Sequence, residues 1–245
     1  MPLSRIEDAL EDIKAGRMII IVDDEDRENE GDLTMAAELV TPEAINFMAT
    51  FGKGLICVPM LGQRLKELNL PLMVQDNTAP LSTAFTVSVD SLIGTTTGIS
   101  AQDRAITIKA LADSSTIPSD LGRPGHIFPL QYVEGGVLKR TGQTEASIDM
   151  CRIAGLGEAA VICEIMADDG NMARMPDLER FSAEHDIKVV SVADLIAYRR
   201  QHERLIERAA EARVPTEYGE FRAVSYSSLV DVYEHVAFVK GDISS

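Results

Sequence analysis

Cysteine is scarce in this chain: three among 245 residues, at Cys57, Cys151 and Cys163. Their spacing forms no CxxC pair and no zinc pattern. A small, odd number of cysteines without a secretion signal points to a reducing compartment, so the expected location is cytoplasmic. Long apolar runs are missing as well. The longest purely aliphatic run near the N-terminus, Ile19-Ile20-Ile21-Val22, is far too short to cross a bilayer, and no membrane partner is expected. Positive charge is in deficit, with 23 Lys plus Arg against 39 Asp plus Glu and a net charge of −16. A chain this acidic is repelled by a polyanionic duplex, and no basic patch of useful size offsets the repulsion, which argues against a nucleic-acid partner. The 17 glycines and 10 prolines exclude collagen-like and low-complexity classes.

What the chain does contain is ordinary for a globular protein: 45% hydrophobic and 25% charged residues. That apolar content is enough to offset chain entropy and excludes a disordered chain. A chain of this length buries on the order of 70% of its unfolded surface, so it needs no disulfide or metal staple. Its charge, however, is uneven. Residues 23–32, DDEDRENEGD, hold seven carboxylates and one arginine, so this single segment carries −6 of the −16.

Periodicity and capping signals lay out the elements. Ser4 and Glu7 form a capping box for a first helix with Ile6, Leu10 and Ile13 on one face and Gly16 at its stop. Met18 to Val22 reads as a short buried strand, followed directly by the acidic run. Thr41-Pro42 opens a second helix. Leu55 to Met60 is a strand, and Leu61, Leu65 and Leu68 line a helix. Phe85, Val87 and Val89 alternate like a half-buried strand. Ser100 and Asp103 start a capped helix, whereas 120–130, DLGRPGHIFPL, is rich in Gly and Pro and reads as loop. A helix runs from near Thr144 to Ile153, Ala159 to Ile165 is an interior strand, and Pro176 opens another helix. Ile187 to Ser191 is a late strand, and Ser191 with Asp194 caps the last long helix. Alternating helices and apolar strands give an α/β class, with helices covering a sheet. Residues 199–213 read as a charged, solvated linker helix. Residues 214–245 read as a hairpin-like β region that either docks on the main body or begins a truncated second domain.

Several residues stand out chemically. The acidic run follows a buried strand, where α/β folds place binding loops, although a solvated turn is the plainer reading. It is no EF-hand, because the sixth and twelfth positions from Asp24 are Asn29 and Met35. Gly155-Leu156-Gly157 mimics a dinucleotide fingerprint but lies between a helix and a strand in the wrong order, so it reads as a turn. GTTTG at 94–98 lacks the Lys-Ser/Thr of a P-loop, though its hydroxyls remain able to touch a ligand. His126 sits in a Gly/Pro loop with no packing reason and is an acid/base candidate, while His185, His202 and His235 look like surface positions. Arg140 and Thr144 flank a helix start suited equally to a phosphate or to an ordinary cap. Glu164 is a lone carboxylate in an apolar strand, which calls for a site or an ion pair.

Taken together, the run Asp23 to Asp32, the segment Arg123-Pro124-Gly125-His126, the stretch Gly136 to Ala146, Cys163-Glu164-Ile165, Asp168-Asp169-Gly170 and Met172-Ala173-Arg174 resemble the 3,4-dihydroxy-2-butanone-4-phosphate synthase family over roughly residues 1–203. The resemblance implies an α/β/α sandwich around a mixed sheet and a homodimer with active sites at the subunit interface. It also implies the riboflavin-pathway lyase reaction, from D-ribulose 5-phosphate to 3,4-dihydroxy-2-butanone 4-phosphate and formate, with Mg²⁺ or Mn²⁺. Carried over by position, Glu28 matches a metal ligand that also contacts substrate, Arg27 and Asp32 match substrate contacts, and Arg140, Thr141, Gly142, Gln143 and Thr144 fall in the phosphate- and sugar-binding stretch. His126 and Glu164 match catalytic positions, with Glu164 also counted among the substrate contacts. Glu30 matches an acidic-loop residue that supports the site.

One position departs from the family pattern. Gln143 stands where the family has a histidine that is its second metal ligand. Glutamine offers a hard cation a carbonyl oxygen but cannot shuttle a proton near neutral pH, so reduced activity is expected. The alternatives are a catalytically silent paralogue serving as a binding or regulatory subunit, and a simple cation or sugar-phosphate binding module. The tail, 204–245, combines the linker helix with a segment resembling the opening of a GTP cyclohydrolase II domain. It has no cysteine for that domain's zinc, so cyclohydrolase activity is not expected.

Overall fold

The structure is a computed structural model describing residues 3–230 and 232–243. It divides into two units, Met1–Ile196 and Ala197–Ser245. The first unit is built on a mixed seven-stranded sheet in the order β4-β5-β3-β6-β2-β1-β7. These strands are β1 (Ile19–Val22), β2 (Gly31–Ala36), β3 (Cys57–Met60), β4 (Val89–Ser91), β5 (Leu121–Gln131), β6 (Ala160–Glu164) and β7 (Val189–Ser191). Every residue of β1 and β2 is buried, as expected of central strands covered on both faces. Helices α1 (Ile6–Lys14) and α5 (Gln143–Ile153) cover one face. On the other side α2 (Pro42–Phe47) packs against α4 (Ala101–Ala112), which lies over β4 and β5. Helix α3 (Gly62–Glu67) follows β3, and α6 (Met175–His185) sends Leu178 against Gly31 and Ile20. This is the α/β/α sandwich around a mixed sheet.

Alternate residues of each strand feed the two faces. Ile20, Val22, Leu33, Met35, Val58 and Val161 join one continuous core with α2 and α4. Burying each such side chain is worth about 1.5–3 kcal/mol, which sets the register firmly. Several caps fall where the sequence puts them. Thr41 accepts from the Ala44 amide, Ser100 from the Asp103 amide and Ser191 from the Asp194 amide at the start of α7 (Val192–His202). The Gly155 region is a turn between α5 and β6.

Four expectations for the first unit are corrected. The first helix has Arg5, not Ser4, at its cap, and no side chain caps it; the Ser4 amide is drawn instead to the Val189 carbonyl at 2.7 Å. Residues 120–130 are not loop, because Leu121 to Gln131 form the long strand β5. The glycine read as a loop former lies flat on β4: a Cβ on Gly125 would fall 2.0 Å from the Val89 carbonyl carbon. Regular strand in the 85–91 stretch is confined to β4, with Phe85 and Thr86 making only isolated bridges. His185 is half-buried, its ring against Phe47, Phe51 and Phe181.

The second unit is a three-stranded antiparallel sheet, β10-β9-β8, of β8 (Ile206–Thr216), β9 (Gly219–Ser228) and β10 (Glu234–Val239). The expected linker helix over 199–213 therefore ends with α7 at His202, and its second half is strand β8. Pairing with β9 from Ile206↔Ser228 to Thr216↔Gly219 overrides the helix propensity of its Ala, Arg and Glu residues. No helix among the described residues is long and apolar enough to cross a membrane.

Candidate active site at one end of the sheet

Strand register gathers the candidate residues. β1 leaves the sheet at Val22 and β2 re-enters it at Gly31, paired with Val22, so the acidic run is the connection between them. Asp32 pairs with Glu164 on β6, and Ile162 pairs with Cys57 on β3. Cys57 pairs in turn with Phe128 on β5. Two residues from that row, toward the same end, lie Glu164 and His126. The acidic loop, Asp32, Glu164 and His126 thus share one end of the sheet.

Asp23 organises the loop. Its side chain is fully buried and accepts from Arg27 Nη1 at 2.7 Å, the Glu30 amide at 2.9 Å and the Glu28 amide at 3.1 Å. Arg174 clamps the loop from outside, donating to the carbonyls of Glu28 and Asn29. Arg27 Nη1 is the hub: besides Asp23 it meets Glu28 Oε1 at 2.8 Å and Gln143 Oε1 at 2.9 Å. The Glu28 carboxylate and the Gln143 amide oxygen therefore converge on one cationic point.

The carboxylates beside it hold protons unusually well. Burial, then the charges of Glu164 and Glu28, push Asp32 well above the usual carboxylate range. Burial also raises Glu164, whose Oε2 accepts from the Leu55 amide at 2.8 Å. Glu30 rises through burial and the neighbouring Glu28. Below them burial pushes the Cys57 thiol up, and Cys163 up to about 12, so neither serves as a nucleophile.

Helix α5 begins at this site. Gly142 is its N-cap and brings no side chain to the first turn. Arg140 Nη1 is held by the buried Glu145 at 2.7 Å, and its Nη2 reaches Thr83 Oγ1 and the Leu81 carbonyl. A Cβ on Gly142 would sit 2.5 Å from Arg140 Nη1 and 3.0 Å from Arg27 Nη2, so both guanidinium groups press close to that glycine. Thr144 and Gln143 are buried, and Gln143 Nε2 has no hydrogen-bond partner among the described residues. Thr141 lines a cleft of about 400 Å³ with Asp24, Asp26 and Arg27. Among the described residues no cluster of three or more His, Cys, Asp or Glu is set to hold a metal ion by itself.

The sequence candidates Arg27, Glu28, Glu30, Asp32, Arg140, Thr141, Gly142, Gln143, Thr144 and Glu164 are thus neighbours. His126 stands apart from them, with its hydrogen bonds going to Asp90 on β4. Asp23, Glu145, Arg174 and Asp90 support the site without having been singled out. Asp23 was hidden by the acidic residues around it, and Glu145 by its place inside an ordinary helix.

The profile of the 3,4-dihydroxy-2-butanone 4-phosphate synthase family matches residues 7–198, and that of GTP cyclohydrolase II matches 207–244. The chloroplastic bifunctional riboflavin biosynthesis protein RIBA 1 of Arabidopsis thaliana is 57% identical over 242 residues, which are 98% of this chain and 45% of the plant protein. The chain spans about half the length of the first curated relatives it matches. RibBX, a two-domain 3,4-dihydroxy-2-butanone 4-phosphate synthase from A. baumannii, superposes with a TM-score of 0.89 at 49% identity, covering 97% of this chain and 70% of that one. A 3,4-dihydroxy-2-butanone 4-phosphate synthase solved with two magnesium ions superposes with a TM-score of 0.78 at 42% identity, covering 82% and 98%. The chain belongs to the 3,4-dihydroxy-2-butanone 4-phosphate synthase family of riboflavin biosynthesis.

Proposed function

We propose that this chain is a divalent-metal-dependent lyase that converts D-ribulose 5-phosphate to 3,4-dihydroxy-2-butanone 4-phosphate and formate. The observation carrying this reading is the meeting of a phosphate-type cradle (Arg140, Arg27 and the start of α5) with proton-holding carboxylates at one end of the sheet. The reaction is neither a net oxidation nor a hydrolysis. It needs a base, an acid, a cation beside the enediolate and a clamp on the phosphate.

The donor set fits a hard cation. Glu28 Oε1 and Gln143 Oε1 already face one positive nitrogen at 2.8 and 2.9 Å, and crowded carboxylates with raised proton affinity are what a divalent ion relieves. We assign Glu28 and Gln143 as the residues that would hold Mg²⁺, or Mn²⁺ through the same oxygens. When bound, the ion supplies Lewis acidity at the substrate carbonyl and stabilises the enediolate. Arg140, with Thr141, Gly142 and Thr144 at the start of α5, binds the phosphate and adjoining hydroxyls, while Arg27 neutralises charge between phosphate and loop. Asp32 keeps the sugar oriented. Glu164, Glu30 and the Nε2 atom of His126 take and return protons. The buried strands exclude water from one side of the reacting carbons.

A homodimer is part of the proposal. His126 bonds to Asp90 and not to the acidic group, and the apolar Leu55, Leu92, Ile93 and Ile99 are exposed near that end of the sheet. Both features suit a site completed by a second copy. The break between the two family matches, at 198 and 207, supports a synthase domain over residues 1–203 followed by a cyclohydrolase-like region.

Gln143 lowers turnover in this reading, since its amide cannot relay a proton near neutral pH. The test is formate release from ribulose 5-phosphate with Mg²⁺, comparing this chain with Gln143→His. The expected result is measurable release that rises about tenfold or more in the histidine form. Equal rates across metal concentrations would refute the role given to Gln143. The orphan amide also favours a second reading, a silent member that binds metal and sugar phosphate. That reading predicts ligand-dependent thermal stabilisation without formate.

A further inference from the structure

His126 is held by a device that none of the site assignments includes. Its ring Nδ1 lies 2.6 Å from Asp90 Oδ2, and its own backbone amide donates to Asp90 Oδ1 at 2.8 Å. One carboxylate thus grips both the ring and the main chain of one residue. The pairing of β4 with β5 shifts register between Val89 and Asp90, the kind of irregularity that re-aims a side chain out of a ladder. Gly98 roofs the pair: a Cβ there would fall 2.0 Å from Asp90 Oδ2 and 2.5 Å from His126 Nδ1. The roof is anchored in turn, because the buried Asp103 accepts from the Gly98 amide at 3.0 Å and from Thr96 Oγ1 at 2.7 Å. This accounts for the GTTTG segment, which is a support for Asp90 and not a phosphate loop.

We propose that Asp90 is a positioning residue for His126: it fixes the imidazole with the proton on Nδ1 and leaves Nε2 as the only ring atom free for substrate. The His126 side chain is 42% exposed, against 17% for Asp90, so the free edge of the ring faces outward while the gripped edge is shielded. This assignment rests on the reading that His126 acts in the proposed reaction.

Asp90→Asn makes the sharpest test. The His126 amide needs an acceptor, so the Asn carbonyl oxygen takes that bond and its NH₂ is turned to the ring. Nδ1 must then accept, and the proton moves to Nε2. Nitrogen-15 NMR of His126 in the full chain is expected to show Nδ1–H in the parent and Nε2–H in Asp90→Asn. Formate kinetics are expected to show kcat lower by about 10²-fold with KM within about twofold, and Asp90→Glu is expected to recover part of the loss. In a His126→Ala background, Asp90→Asn is expected to change kcat less than twofold, because it acts only through the ring. An unchanged tautomer, or an equal kcat loss without His126, would overturn the proposal. The NMR arm needs no turnover, so a parent chain that releases no formate would sink the lyase reading while the tautomer still decides the role of Asp90. Should Asp90→Asn fail to fold, Gly98→Ala displaces the carboxylate without removing it, and a retained Nδ1–H tautomer there would equally contradict the proposal.

Discussion

Arg27 divides one guanidinium nitrogen among Asp23, Glu28 and Gln143, and so neutralises two of the seven carboxylates of the ten-residue loop, while Asp24, Glu25 and Asp26 are exposed to solvent. Burial, with the neighbouring negative charges adding to it, still weighs on Asp32 and Glu164. Their proton affinities are raised in the folded protein. The folded state therefore binds more protons than the unfolded one, and the stability they contribute is present at acid pH. It is lost as pH rises from the ordinary carboxylate value of 3.8 for Asp32, or 4.5 for Glu164, through their raised values. Asp32→Asn removes the titration and the repulsion together. The variant is expected to melt higher than the parent at pH 8, by about 2–4 °C for each kcal/mol relieved, with a smaller gain at pH 5 and with formate release lost. Mg²⁺ is expected to stabilise the parent more at pH 8 than at pH 5. Thermal melts at the two pH values check this, and a lower melting point for Asp32→Asn at pH 8 would contradict it.

At the scale of elements, the caps of α2, α4 and α7, the extent of α5 and the apolar run of β1 were legible in the sequence because local chemistry and burial agree there. The candidate cluster was legible for the same reason, since it sits where a four-residue apolar strand stops and α5 starts. Strand β5 was not. Its glycines and prolines signal a turn locally, but Gly125 is needed for the close approach of β4, a demand set by a distant segment. Strand β8 was hidden by helix-favouring residues and is fixed by pairing with β9. Asp90 was invisible for a related reason: nothing local links it to His126, 36 residues on. Gly125→Ala tests the β5 account. Its Cβ would collide with the backbone of Val89, so urea unfolding is expected to show a loss of at least about 2 kcal/mol. A loss under about 0.5 kcal/mol would mean that the two strands are less tightly apposed.

For the whole molecule, the net charge of −16 draws a divalent cation in but repels a phosphorylated sugar. In the proposed reaction, sugar-phosphate binding relies on the local cations Arg27 and Arg140, both close to Gly142 at the start of α5. The proposed dimer belongs to this scale as well. Light scattering is expected to give about twice the mass of the 26.7 kDa chain, and a strict monomer would leave His126 without the second site it is proposed to serve. The lyase reaction is read from formate released against ribulose 5-phosphate consumed. One formate per sugar phosphate, abolished by a chelator and restored by Mg²⁺, is the predicted result. No formate from either this chain or Gln143→His at saturating Mg²⁺ would contradict it.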